Sequence, residues 1–227
     1  MTHDLTYAIG DIHGCANLLE ALLARIEAHS AGRPHRLVFL GDYIDRGPDS
    51  AGVLRIVRRL HWNDPERVTC LIGNHEAMLL ASLQTPGAAE HWLRNGGGAT
   101  LASFGLDAIE DVPGDVLDWL EALPSVHADA AHWYVHAGFR PGCTPPDPDL
   151  QNRLWIREPF LSDECDFGRH VVHGHTPLPA GEPEVRRHRT NLDTGAVYGG
   201  ALTAGVFTEG QGPAVAFLGI PARRYGT

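Results

Sequence analysis

The chain has 227 residues, room for one ordinary domain with a substantial core, and 43% hydrophobic and 20% charged residues with 26 glycines suit a loop-bearing globular enzyme rather than a disordered or fibrous chain. A formal net charge of -10 opposes binding to nucleic-acid polymers. Neither a basic leader nor an apolar run of about 18 residues occurs, so a cytoplasmic protein with no membrane partner is expected.

All 18 basic residues are arginine, which excludes lysine Schiff bases and the G-x-x-x-x-G-K phosphate loop. Phosphate, if handled, must meet arginine or metal. Cys15, Cys70, Cys143 and Cys165 lack C-x-x-C spacing and read as reduced thiols. None is followed six residues later by arginine, so the phosphate cradle of a cysteine-dependent phosphatase is missing too.

In chain order, residues 6–10 form an apolar run ending at Asp11, and Leu19, Leu22, Leu23 and Ile26 then recur at helical spacing. The unit repeats at 37–40, ending at Asp42, with Val53, Ile56, Val57 and Leu60 behind it. Residues 68–72 do so a third time, running into Asn74 and an Ala/Met/Leu-rich helix. Such alternation predicts an α/β sheet with parallel opening strands and functional groups at strand C-termini. From about 85 to 129 the pattern loosens around glycine and proline, which predicts a small helical lid within a single domain spanning 1–227. Trp92 and Trp119 there read as packing residues. Strands return at 132–135 and 170–172, residues 140–148 are a loop, and 190–218 reads as antiparallel hairpins.

Five apolar runs therefore end in potential metal ligands: Asp11 with His13, Asp42 with Asp45, Asn74 with His75, His136, and His175. Brought to one rim they make a mixed oxygen and nitrogen set suited to manganese, iron or zinc. A carboxylate such as Asp42 can bridge two divalent cations, and a hydroxide held between them would attack phosphorus in line. His75 stands where a general acid could protonate the leaving oxygen, with Asp45 to orient it. Arg46 and Arg157 can present planar forks to the non-bridging phosphate oxygens. His173 would share a strand face with His175, but its context is that of a packed residue, whereas Gly174-His175-Thr176 is that of a ligand.

The motifs Gly10-Asp11-Ile12-His13-Gly14, Gly41-Asp42-Tyr43-Ile44-Asp45-Arg46-Gly47 and Gly73-Asn74-His75-Glu76 resemble the three signatures of the PPP-type phosphoprotein phosphatases among the calcineurin-like metallophosphoesterases. Trp92 to Gly98, Val135-His136-Ala137-Gly138, Gly174-His175-Thr176-Pro177 and Asp193-Thr194-Gly195-Ala196 extend the resemblance to the bacterial and bacteriophage lambda branch, covering essentially the whole chain. The resemblance implies an αββα four-layer sandwich of two mixed sheets flanked by helices. It implies one cation, most simply manganese, on Asp11, His13 and Asp42, and a second on Asp42, Asn74, His136 and His175. It also implies His75 with Asp45 as the acid pair, Arg46 and Arg157 with Asn74 on the substrate phosphate, and the turn at 95–98 beside the cleft.

The expected activity is hydrolysis of phosphorylated Ser or Thr in proteins or peptides, extending to Tyr, small phosphoesters and nucleotides. A diadenosine tetraphosphate hydrolase is the alternative. Asp45 and Glu76 speak against it, because the dinucleotide enzymes typically lose the first and carry Asp for the second. A metal-binding module without turnover is disfavoured by the complete set of ligands, acid and arginines.

Overall fold

Alternation within the first strands decides which side of the sheet each residue faces. β1 (Leu5–Ile9) and β2 (His35–Phe39) turn Leu5, Tyr7, Ile9, Leu37 and Phe39 toward α1 (Ala16–Ser30) and α2 (Ser50–Asn63), whose Leu19, Leu22, Val53 and Val57 complete one core. Ala8, Val38 and Leu40 face the other way and, with Leu71, Tyr134, Val172, Leu192 and Phe207, form a second core between two sheets. A strand buried on both faces must be apolar throughout, which is why these segments read as continuous runs.

The computed structural model describes residues 5–210 and 212–222. The start of the chain, residues 1–4, on which the leader reading partly rested, lies outside that range. β1, β2 and β3 (Val68–Cys70) are parallel, and α3 (Asn74–Gln84) follows β3 directly. Residues 85–129 hold α4 (Ala88–Trp92), a π turn at Leu93–Gly97, α5 (Gly98–Phe104), a 3-10 turn at Ile109–Asp111 and α6 (Gly114–Glu121). Trp92, Leu101, Val116, Trp119 and Leu120 from this stretch are buried in the helix-side core of the first sheet.

The second sheet has the order β4-β5-β6-β8-β7, from β4 (Val126–Ala128), β5 (His132–Val135), β6 (His170–His173), β7 (Glu184–Val185) and β8 (Arg189–Asn191). Its centre, β5, β6 and β8, is parallel, and β4 and β7 are antiparallel edges. The first sheet closes with β9 (Ala201–Phe207) and β10 (Ala216–Pro221), an antiparallel hairpin beside β1 in the order β10-β9-β1-β2-β3. The hairpin reading of 190–218 thus holds for β9 and β10, while β8 pairs antiparallel with β7, which precedes that span, and parallel with β6.

Helices and irregular segments cover both outer faces, giving the expected αββα arrangement. The layer on the second sheet is thin: α7 (Leu150–Trp155), capped by the Asp149 carboxylate on the Gln151 N–H, and the segment that buries Ile156, Phe160 and Phe167. Among the described residues no helix is long and apolar enough to cross a membrane.

Candidate metal centre and cleft

Parallel strands deliver their C-terminal residues to one rim. Asp11 and His13 follow β1, Asp42, Asp45 and Arg46 follow β2, Asn74 and His75 follow β3, His136 follows β5, and His175 follows β6. Among the described residues six non-glycine residues have positive φ, and five of them belong to this set: His13, Asp42, Asp45, Arg46 and His175. A left-handed backbone costs an L-residue roughly 1–2 kcal/mol, so backbone strain is concentrated at the strand ends that carry this set. Gly73 and Gly174 serve the same turns: a Cβ would run into the Asp42 carboxylate at the first and the Asp11 carboxylate at the second.

Asp11, His13, Asp42, Asn74, His136 and His175 are all buried. His136 donates Nδ1–H to the Leu40 carbonyl at 2.9 Å, which leaves a lone pair on Nε2. That lone pair points at two further acceptors, Asn74 Oδ1 at 2.8 Å and Asp42 Oδ1 at 3.5 Å. His13 donates Nδ1–H to the Ile44 carbonyl at 2.8 Å, and its Nε2 lies 3.4 Å from Asp42 Oδ2. His175 Nδ1 lies 3.0 Å from the same Asn74 oxygen. Burial first, then neighbouring positive charge, pushes all three imidazoles down, to about 3 for His136, so they are neutral at pH 7. Burial pushes Asp11 and Asp42 well up, reinforced by Asp193 at Asp11 and by Glu76 at Asp42.

The His136 lone pair, the Asn74 oxygen and the crowded carboxylates of Asp11 and Asp42 fit a cation better than each other. The histidine N–H bonds to backbone carbonyls are the outer support such ligands use. Ligand atoms of His13, Asp42 and His75 lie within 4.8 Å of one another, as do those of Asp11, Asp42 and His136, and Asp42 belongs to both groups. His75 has only Nε2 to offer, since its Nδ1 is held by Asp45.

That pair is buried and tightly braced. His75 Nδ1 lies 2.6 Å from Asp45 Oδ2. The same oxygen accepts from Trp92 Nε1 at 2.9 Å, and Oδ1 accepts from Thr100 Oγ1 at 2.7 Å. Burial, then Arg46 and His91, pushes His75 down to about 3, and burial pushes Asp45 up to about 7, so the pair holds one proton across that interval. Trp92 is therefore a brace as well as a packing residue. Glu76 clamps two loops: Oε2 accepts the N–H of Asp42 and of Gly73, both at 2.9 Å, and Oε1 that of Tyr43 at 2.8 Å. Asp193, placed by β8 as the other strands place theirs, is buried beside Asp11 and accepts the Gly195 N–H at 3.1 Å.

In front of these groups lies a cleft of about 580 Å³ whose walls include Arg46, Asn95, Trp155, Arg157 and Tyr198. Gly96, at φ 108, packs on Arg46 and takes its backbone N–H at 3.2 Å. The Arg46 guanidinium folds inward onto His13 Nε2 at 2.7 Å, so His13 can bind a cation only when that arm swings out. Arg157 is exposed and lines the same cleft.

The family model described as calcineurin-like phosphoesterase matches residues 6–200. The chain is 32% identical over 206 residues to serine/threonine-protein phosphatase 1 of Salmonella typhimurium, covering 87% of this chain and 89% of that one. It is 30% identical over 234 residues to the asymmetrical bis(5'-nucleosyl)-tetraphosphatase PrpE of Oceanobacillus iheyensis, covering 92% and 90%. It spans 44% of the length of the symmetrical bis(5'-nucleosyl)-tetraphosphatase of Janthinobacterium sp., at 35% identity over 144 residues and 60% of this chain. Among solved structures, a putative diadenosine tetraphosphatase superposes with a TM-score of 0.70 at 24% identity, covering 98% of this chain and 96% of that one. The chain belongs to the calcineurin-like phosphoesterases, hydrolases built around a dinuclear divalent-metal centre.

Proposed function

We propose that this chain hydrolyses phosphomonoesters of serine and threonine in proteins, and also accepts phosphotyrosine and small phosphoesters. Asp11, His13 and Asp42 would hold one divalent cation, and Asp42, Asn74, His136 and His175 the other, within one domain. Cations bound there would neutralise phosphoryl charge and lower the pKa of water toward about 7, with manganese the first candidate. The observation that carries the reading is the gathering of His13, His136 and His175 ring nitrogens onto Asp42 and Asn74, with the His136 lone pair facing both, in a cleft lined by two arginines.

The chain's own groups then divide the work. Arg46, once it swings off His13, and Arg157 grip the non-bridging oxygens from two sides, and the Asn74 amide adds a polar contact. Asp45 fixes the His75 ring through Nδ1, so the proton that the pair shares would be carried on Nε2 to the departing oxygen, leaving His75 neutral and Asp45 ionised. Trp92 and Thr100 keep Asp45 from turning.

Hydrolysis of dinucleoside polyphosphates is the second reading, favoured by end-to-end similarity to a protein named as such a hydrolase. The intact Asp45–His75 pair supports the phosphatase over it. Phosphate release from a phosphothreonine peptide, compared with diadenosine tetraphosphate cleavage in manganese buffer, tests the order. Peptide turnover is expected to dominate and His75→Asn to lower its kcat by a factor of about 10² or more. A large preference for the dinucleotide, or unchanged turnover in the variant, refutes it.

A further inference from the structure

Two exposed aromatic rings line the cleft, each touching the site along one edge or face and open to solvent elsewhere. Of the large hydrophobic residues exposed among those described, three are aromatic, and two of these, Trp155 at 36% and Tyr198 at 62%, line this cleft. Bare aromatic surface is costly to leave in water, and a matched pair beside a reacting centre calls for a ligand.

Both rings are carried on stiff local structure. Tyr198 ends a 3-10 turn (Ala196–Tyr198) between Gly195 and Gly199, both left-handed, and its N–H donates to the Gly195 carbonyl at 2.9 Å. Gly200 and Ala201 close the turn onto the carbonyls of Gly195 and Thr194 at 3.0 and 3.2 Å. Trp155 ends α7, and its ring lies edge-on to His175 at 6.0 Å.

Their positions select the ligand. The Tyr198 ring centroid is 5.7 Å from the Arg46 guanidinium carbon, and Trp155 abuts His175, a candidate ligand. Both rings thus border the part of the cleft that holds the candidate metal ligands and the arginines. A ring joined directly to the ester oxygen reaches such a platform. The stem of phosphoserine or phosphothreonine stops short of it, and a nucleobase is held further out by its ribose.

We propose that Trp155 and Tyr198 are specificity-determining residues that flank a planar aryl leaving group, and that they are what extends this site from phosphoserine and phosphothreonine to phosphotyrosine peptides. The proposal rests on the phosphomonoesterase reading above.

The test measures kcat/KM for a phosphotyrosine peptide and for the phosphothreonine peptide of the same flanking sequence. Wild type is compared with Tyr198→Ser, Tyr198→Phe, Trp155→Leu and Trp155→Phe. Taking the ratio of the two substrates, variant against wild type, cancels the difference in leaving-group basicity and any loss of folded enzyme. The ratio is expected to fall roughly threefold to tenfold in the Ser and Leu variants, mainly through KM, and to return toward wild type in both Phe variants. Equal falls on both peptides overturn the proposal and leave the phosphatase reading intact. Selective loss of diadenosine tetraphosphate cleavage, with the peptide ratio unmoved, also overturns it by assigning the platforms to a base. A wild-type enzyme that hydrolyses neither peptide refutes the underlying reading instead.

Discussion

Replacing Glu76 by Gln keeps shape and removes charge, and the outcome follows from who donates to that carboxylate. Glu76 is fully buried and accepts four backbone N–H groups: Asp42 and Gly73 on Oε2, Tyr43 and, at 3.3 Å, Ile44 on Oε1. Glutamine can serve one pair, while its NH₂ confronts the other two donors. Two hydrogen bonds to a charged group at about 1.5–3 kcal/mol each give a gross loss of about 3–6 kcal/mol. Burial already opposes the charged form, lifting the Glu76 pKa to about 7, so relief of desolvation offsets part of this and leaves about 2–4 kcal/mol. For a chain of this size that lowers Tm by roughly 5–15 °C. Thermal unfolding followed by circular dichroism reads the shift, and calorimetric titration with manganese should show weaker binding because the Asp42 backbone has lost its anchor. An unchanged melting temperature together with unchanged metal affinity would refute the clamp.

Three further outcomes follow from other contacts. His136→Ala should reduce the manganese bound per chain from two ions toward one, counted by calorimetry, since both its lone pair and its carbonyl anchor disappear. Trp92→Phe removes the hydrogen bond to Asp45 and should lower kcat about tenfold while manganese affinity holds, and a kcat equal to wild type would show the bond to be idle. Burial raises the pKa of Asp129, but the His132 ring, the N–H groups of Ala131 and His132 and the Tyr134 hydroxyl outweigh it and hold the carboxyl below its usual range. A depressed carboxylate stabilises the fold above its unfolded pKa, near 3.9, and loses that contribution as pH falls. Asp129→Asn should therefore unfold more readily than wild type at pH 7, with the gap closing in acid denaturation below about pH 4.

Residues that follow long apolar runs were legible without coordinates, because a strand buried on both faces must be apolar and its end must carry the first polar group. That is how Asp11, Asp42, Asn74 and His136 stand out. Asp193 was noted only as part of a motif and given no site role, because β8 has only three residues and its run is broken by Arg189 and Asn191. The braces on Asp45 were also invisible: Trp92 and Thr100 lie 47 and 55 residues away, and nothing local to either marks a partner. The cap on α7 was there to read in Asp149, yet the helix is too short to show periodicity.

The order of strands and helices, the absence of lysine chemistry and the kinds of atom gathered at the rim are properties of the sequence alone, since each depends on residue type and spacing along the chain. The facing of imidazole nitrogens onto Asp42, the inward fold of Arg46 and the two exposed rings lining the cleft exist only in the tertiary structure. Those arrangements depend on distances between segments far apart in the chain, which local pattern does not encode and packing of two sheets does.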